Sequence, residues 1–237
     1  MILYGRNPIR EALRGRRRHT VAEVWVTEGA SRELWLEGVA VRRASAEEIE
    51  RRCGSATHQG VCATVGGYPY VSSAELLRGE APLLVALDQV QDPQNLGSIC
   101  RSAECAGAGG VVIPERRAAE VTPAECKASA GAVEHLRIAR VRNVADFLGE
   151  ARAAGCWCYG ASAEAKVAYD TPDYRGGVVL VLGSEGRGLR PRVARACDEL
   201  ISLPLRGRVE SLGVSPAAAA IMFEILQNRD RGLDKAP

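Results

Sequence analysis

The 237-residue chain contains no apolar run long enough to cross a bilayer, and only two methionines, two phenylalanines and three histidines. The missing run excludes a transmembrane helix. His19, His58 and His135 are far apart in sequence, and no two of the eight cysteines are spaced as CxxC, so the ligand pattern of a metal site is lacking. No metal is expected, and buried reduced thiols account for the cysteines. Cys156 and Cys158 flank Trp157 on an expected strand, which points both thiols to one side. The first residues lack the charged and apolar regions of a secretory signal, which makes the cytoplasm the expected location. A large excess of one charge is also absent. The formal net charge is +2, too small to mark a nucleic-acid binder by itself.

The distribution of charge says more. Residues 1–18 hold six arginines against Glu11 alone, giving +5. Lysine occurs only at Lys127, Lys166 and Lys235, so arginine supplies nearly all the positive charge. Arginine suits bidentate phosphate contacts and stacking on bases. Arg6, Arg10, Arg16, Arg17 and Arg18 are therefore candidate RNA contacts, although a solvated helix end gives the same cluster.

Hydrophobic patterning divides the chain. Over residues 1–66 a helix at 5–16, a strand at 24–27, a helical stretch at 32–37, a strand at 39–41, a helix at 46–52 and a strand at 60–65 make a small α/β unit. The stretch GGYPY at 66–70 breaks the pattern, and residues 67–82 read as a linker. From 83 onward strands alternate with helices, beginning with the near-continuous apolar run Leu83–Asp88 expected of a parallel sheet covered on both faces. A helix opens at Thr122, Pro123 and Glu125 with the residues of a capping box. Six or so strands predict an α/β layered domain over 83–237, ending in an alanine-rich helix at 216–226 with Ser215 as its cap.

Three polar stretches stand out. The apolar strand Val178–Leu182 runs into a glycine-rich turn through Gly183, Gly186 and Gly188. Its GxxGxG spacing is not that of a dinucleotide fold, and no lysine follows as in a phosphate loop. Glu185 within it opposes a pyrophosphate and favours a neutral or cationic ligand such as S-adenosylmethionine. A second stretch, DPQNLGSICRSA over 92–103, places Asn95 where it can cap a helix and Arg101 six residues on, with Glu104 as its only local partner. Open α/β sheets bind ligands at such strand ends. The third, PLRGRVESLGVSP over 204–216, offers Ser211 and Ser215 ahead of a helix N-terminus.

Together these stretches resemble the three signature motifs of the SpoU, or TrmH-type, RNA ribose 2′-O-methyltransferases of the SPOUT superfamily. The first motif is Asn95 to Arg101, the second Leu182 to Leu189, and the third Ile201 to Leu205 with Glu210 to Ser215. Residues 5–13 and His58–Val61 are similar to the small L30e-like RNA-binding domain of the large-subunit rRNA guanosine methyltransferases. The resemblance implies a SPOUT-type parallel sheet with a C-terminal deep trefoil knot, preceded by the L30e-like α/β domain. It implies S-adenosyl-L-methionine as cofactor, 23S rRNA as partner, and a homodimer with active sites at its interface. Gly183, Leu203 and Leu212, with Leu182, Ile201 and Gly188, would hold the cofactor. Arg101, Asn95, Glu185 and Ser211 would line the reacting end, with Arg101 activating the ribose hydroxyl. Gly213 departs from the asparagine usual in the third motif. Other readings of the residues are a tRNA or antibiotic-resistance rRNA 2′-O-methyltransferase, a catalytically inactive RNA-binding relative, and a nucleotide-binding metabolic enzyme.

Overall fold

A computed structural model describes residues 1–208 and 211–233. Its strands in chain order are β1 (Ile2–Tyr4), β2 (Glu23–Val26), β3 (Val41–Arg43), β4 (Val61–Thr64), β5 (Leu83–Asp88), β6 (Gly110–Pro114), β7 (Ile138–Val141), β8 (Cys156–Ala161), β9 (Val167–Ala168), β10 (Gly177–Gly183) and β11 (Glu199–Ser202). The helices are α1 (Arg6–Arg14), α2 (Ala46–Cys53), α3 (Ser73–Leu76), α4 (Pro93–Cys105), α5 (Pro123–Ala128), α6 (Val144–Ala153), α7 (Pro191–Ala196) and α8 (Val214–Leu233). They form two compact units. The first is Met1–Pro69 with Glu120–His135, and the second is Tyr70–Ala119 with Leu136–Pro237.

In the first unit the sheet order is β1-β4-β2-β3, with only the β2–β3 pair parallel. Helix α1 buries Pro8, Ile9 and Ala12. Helix α2 starts at Ser45, whose hydroxyl accepts the Glu48 amide at 3.2 Å, and Arg52 lies over the Trp25 ring, 4.3 Å from its centroid. The helix expected at 32–37 is instead two 3₁₀ turns, Ala30–Arg32 and Leu34–Leu36. Two turns this short bury only Ala30 and Leu36, too little to sustain an α-helix.

Segment 120–135 corrects the division read from sequence, which placed it in the second domain. It does carry the capping box at Thr122 and Glu125. Yet its Glu134, fully buried, receives Arg17, which is 1% exposed. The Arg17 Nε donates to Glu134 Oε2 at 2.9 Å, and Nη2 pairs with the other carboxylate oxygen. The Arg17 guanidinium also donates to the Gly66 carbonyl at 3.3 Å and sits 5.6 Å from the Tyr68 ring centroid. The Arg16 amide donates to the Glu134 carbonyl at 2.8 Å, and the Tyr68 hydroxyl to the Val133 carbonyl at 3.0 Å. A buried charge must be paired and hydrogen-bonded, and these partners accomplish that. Arg17 is therefore withdrawn from the candidate RNA contacts, because a side chain sealed in the core cannot reach a phosphate.

In the second unit seven strands run parallel in the order β7-β6-β5-β10-β8-β11-β9. Every residue of β5 is buried, as are six of the seven in β10. The seventh strand, β9, has two residues, too few to show alternation in the sequence. The expected linker is structured from residue 70 onward. The Val71 amide donates to the Ile138 carbonyl at 3.0 Å, and α3 buries Leu76 in the core beside Phe147 and Val112. Helix α8 starts two residues ahead of the expected site, so Ser215 lies inside it rather than capping it.

Arg17→Met should leave Glu134 as an unpaired buried acid and destabilise the protein by about 3–5 kcal/mol. Arg16→Met, at an exposed neighbour, should stay within about 0.5 kcal/mol of the parent. Urea denaturation of both variants measures the difference.

Candidate functional site

All strands of the large sheet point the same way, so their C-terminal ends share one edge. Three adjacent strands there, β10, β8 and β11, each run into a loop, and residues of these loops with the first turns of α8 enclose a cavity of ≈ 450 Å³. Strands β6 and β7 lie on one side of β5 and β10 on the other, the reversal at which open α/β sheets bind ligands. The β10 loop is folded hard on itself. The Gly188 amide donates to the Ser184 carbonyl at 2.9 Å, and a Cβ at Gly183 would stand 2.1 Å from the Gly188 carbonyl carbon. Only glycine permits that approach of backbone to backbone.

The cavity has an apolar floor and one charge. Leu182, Ile201 and Ile221 are buried beneath it, and Leu203 and Leu212 line it higher up. Glu185 is the only charged residue among its described lining, and Ser162, Ser184 and Ser211 contribute hydroxyls. Eight of the candidate cofactor-binding and catalytic residues therefore meet here: Leu182, Gly183, Glu185, Gly188, Ile201, Leu203, Ser211 and Leu212. Sequence reasoning missed the loop Ala161–Ala163, together with Ala217 and Ile221, and quoted Leu205 within the third motif without giving it a role. The signal for the loop was its place at the end of an apolar strand. Val209 and Glu210, the latter quoted within the third motif, lie outside the described residues.

One hydrogen bond joins the β10 loop to α8, and another joins α8 to α4. Glu185 Oε1 accepts the Val214 amide at 3.4 Å, tying the β10 loop to the start of α8. The Ser215 hydroxyl donates to Asn95 Oδ1 at 2.6 Å, tying α8 to α4. Asn95 is thus not the cap of α4. Asp92 takes that role, accepting the Gln94 amide at 3.0 Å with Pro93 at the first helical position, and Asn95 sits inside the helix, where its side chain reaches α8. Gly213 adopts φ +82°, and a Cβ there would meet Glu185 Oε1 at 3.5 Å and Pro216 Cδ at 3.7 Å, ordinary contact distances. Arg101 is exposed farther along α4 and is not part of the cavity lining. Among the described residues it has no ion-pair or hydrogen-bond partner, and Glu104 is contacted by the Cys105 thiol at 3.7 Å instead.

A second, shallower cavity of ≈ 330 Å³ belongs to the first unit, lined by Gly15, Arg16, Arg18, His19 and Pro69, with no carboxylate among its described lining. Arg18 Nε donates to His19 Nε2 at 3.0 Å. The remaining candidate cations are already engaged, Arg6 with Glu33 at 2.6 Å and Arg10 with Glu11 at 2.7 Å. Burial pushes the thiols of Cys126, Cys158 and Cys197 up to about 12, so these cysteines are thiols rather than thiolates. No helix among the described residues is long and apolar enough to cross a membrane.

Comparison with known proteins bears on both units. The SpoU rRNA Methylase family matches residues 82–223, and the RNA 2′-O ribose methyltransferase substrate binding family matches residues 2–71. The chain is 36% identical over 239 residues to YacO of Bacillus subtilis (strain 168), a protein placed in the TrmH family of tRNA/rRNA methyltransferases, with 95% of each chain covered. Among solved structures, an AdoMet-bound rRNA methyltransferase from Sinorhizobium meliloti superposes with a TM-score of 0.79 at 28% identity, covering 95% of this chain and 86% of the other. A TrmH/SpoU tRNA modifying enzyme of A. aeolicus gives a TM-score of 0.57 at 27% identity, covering 68% of this chain and 82% of that one.

Two glycine substitutions separate close approach from backbone conformation. Gly183→Ala should destabilise the chain by about 3 kcal/mol or more, because backbone must move to admit the methyl group. Gly213→Asn should cost only about 1 kcal/mol, since asparagine tolerates positive φ and finds room there. Thermal unfolding midpoints of the two variants test this ordering.

Proposed function

Since this chain belongs to the SpoU rRNA methylase family, we propose that it methylates the 2′-hydroxyl of a guanosine ribose in large-subunit rRNA. The coarser activity, S-adenosylmethionine-dependent methylation of an RNA ribose 2′-hydroxyl, is that of the family, and so is the knotted parallel sheet. The observation that carries the choice of rRNA is the small first unit. The match to an rRNA methyltransferase covers 95% of the chain, whereas the match to the tRNA modifying enzyme covers 68%.

The cofactor suits the large cavity on chemical grounds. S-adenosylmethionine carries a sulfonium cation and no phosphate. The cavity offers apolar walls for an adenosyl group, one carboxylate at Glu185, and no lysine or arginine among its described lining. Leu182, Gly183, Gly188, Ile201, Leu203 and Leu212 would hold it. When bound, it supplies the electrophilic methyl group.

The chain's own residues then do the positioning. Arg101, a guanidinium with no ion-pair or hydrogen-bond partner among the described residues, polarises the ribose hydroxyl and steadies negative charge on its oxygen. A guanidinium offers N–H donors and no acceptor for the departing proton, so its contribution is electrostatic. The Ser215–Asn95 bond holds the helix carrying Arg101 against α8, and Glu185 holds the cofactor loop to the same helix. Ser211 orders the rim. In the first unit Arg16 and Arg18, with His19, form the phosphate contact, and Arg6 and Arg10 lie on α1, which ends just before Arg16 and Arg18. The reading includes a homodimer with its sites at the interface, for which α8 leaves Phe223 exposed, and it places the protein in the cytoplasm.

Mapping 2′-O-methyl groups in RNA from cells with and without the gene tests the proposal. The expected result is the loss of one methylated guanosine in large-subunit rRNA, and loss from tRNA alone would redirect the assignment. Arg101→Ala should lower single-turnover methylation by about 100-fold, with cofactor affinity changed less than about twofold. The paired variant Arg16→Ala with Arg18→Ala should weaken RNA binding and flatten its salt dependence by about one unit of slope per lost phosphate contact. Filter binding across a salt series measures that slope.

A further inference from the structure

The carboxylate of Asp88 has no role in the chemistry above, yet it occupies a costly position. The five residues of β5 before it are apolar and buried, and Asp88 is itself 0% exposed. Pairing a buried ion seldom recovers the loss of hydration, and an apolar residue of similar size is often at least as stable. Stability alone therefore gives no reason for an acid at the end of this strand.

Its partners supply one. Asp88 Oδ2 accepts the backbone amide of Arg190 at 2.8 Å, and Oδ1 accepts the Arg190 Nε at 2.7 Å. A second guanidinium nitrogen lies 2.7 Å from Oδ1. Among the described residues, these donors to Asp88 all belong to the one residue that leaves the β10 loop and precedes α7. Asp88 is also the register partner of Gly183, at which that loop begins. One side chain from the neighbouring strand thus holds the exit of the loop beside its entrance. Between those two points lie Glu185, Gly186 and Gly188, all lining the large cavity. The Arg190 side chain is 44% exposed, so it does not fill the core, and its function is to reach the acid.

We infer that Asp88 and Arg190 are positioning residues, a latch that fixes the closed shape of the β10 loop and thereby sets the affinity for cofactor without touching it. This rests on the reading of the cavity as the S-adenosylmethionine site. An amide and a guanidinium converging on one carboxylate constrain both the main-chain position and the direction of Arg190. Loosening them lets the loop sample open shapes, and apparent affinity falls with the fraction that remains closed.

The test uses the full chain, calorimetric titration with S-adenosylmethionine and steady-state methylation of one rRNA fragment. Arg190→Met removes the guanidinium and keeps the main-chain donor, while Asp88→Asn keeps the shape and removes the charge. Both should raise Kd and KM for the cofactor about tenfold or more, with kcat at saturating cofactor and KM for RNA changed less than about threefold. Arg190→Lys, which retains a cation, should recover most of the affinity. If Arg190→Met unfolds because it leaves the acid unbalanced, the double variant with Asp88→Asn buries no charge and carries the same expectation. Parental cofactor affinity in these variants, or a fall in kcat with KM unmoved, overturns the latch. A parent protein that binds no S-adenosylmethionine overturns the reading of the cavity instead, and the latch with it.

Discussion

The large cavity depends on the contact of backbone with backbone at the end of β10. Gly183 lies so close to Gly188 that the loop between them must turn back over the strand end. That turn aims Glu185 toward the first amides of α8 and leaves Gly186 and Gly188 as lining. Were the loop to run outward, the apolar ends of β10 and β11 would face water and the cavity would have no side wall. The remaining walls follow from the parallel sheet, which delivers the ends of β8 and β11 to the same edge.

A different economy governs the first unit. Its arginines divide into an inner and an outer set. Arg17 is spent inward, where Glu134, the Gly66 carbonyl and Tyr68 surround it. Arg16 and Arg18, immediately on either side, stay outside and line a concave surface with no acid among its described residues. One buried arginine thus turns its two neighbours outward, and the basic surface is a by-product of how the core is closed.

This division marks the limit of what could be read from sequence. Arg16, Arg17 and Arg18 are identical in the chain, and only a glutamate 117 residues away distinguishes the middle one. The allegiance of segment 120–135 was hidden for the same reason. Its capping box is local and was legible, but its partner lies far along the chain. The cavity was easier, because glycines following a buried strand carry their constraint locally, at 183, 186 and 188. Asn95 was misplaced by a local rule. Asp92 with Pro93 makes a better helix start, and the bond from Asn95 to Ser215 spans 120 residues. Strand β9, with two residues, leaves no periodicity to detect.

The route of the chain between its units has a hereditary consequence. Segment 120–135 belongs to the first unit although the sequence before and after it belongs to the second. A genetic crossover near residue 70 would therefore not exchange one module for another. It would set a foreign residue against Glu134 and send Arg17 to a core lacking its acid. Positions 17 and 134 must change together or not at all, and so the boundary at which relatives can recombine is not the boundary at which the chain folds.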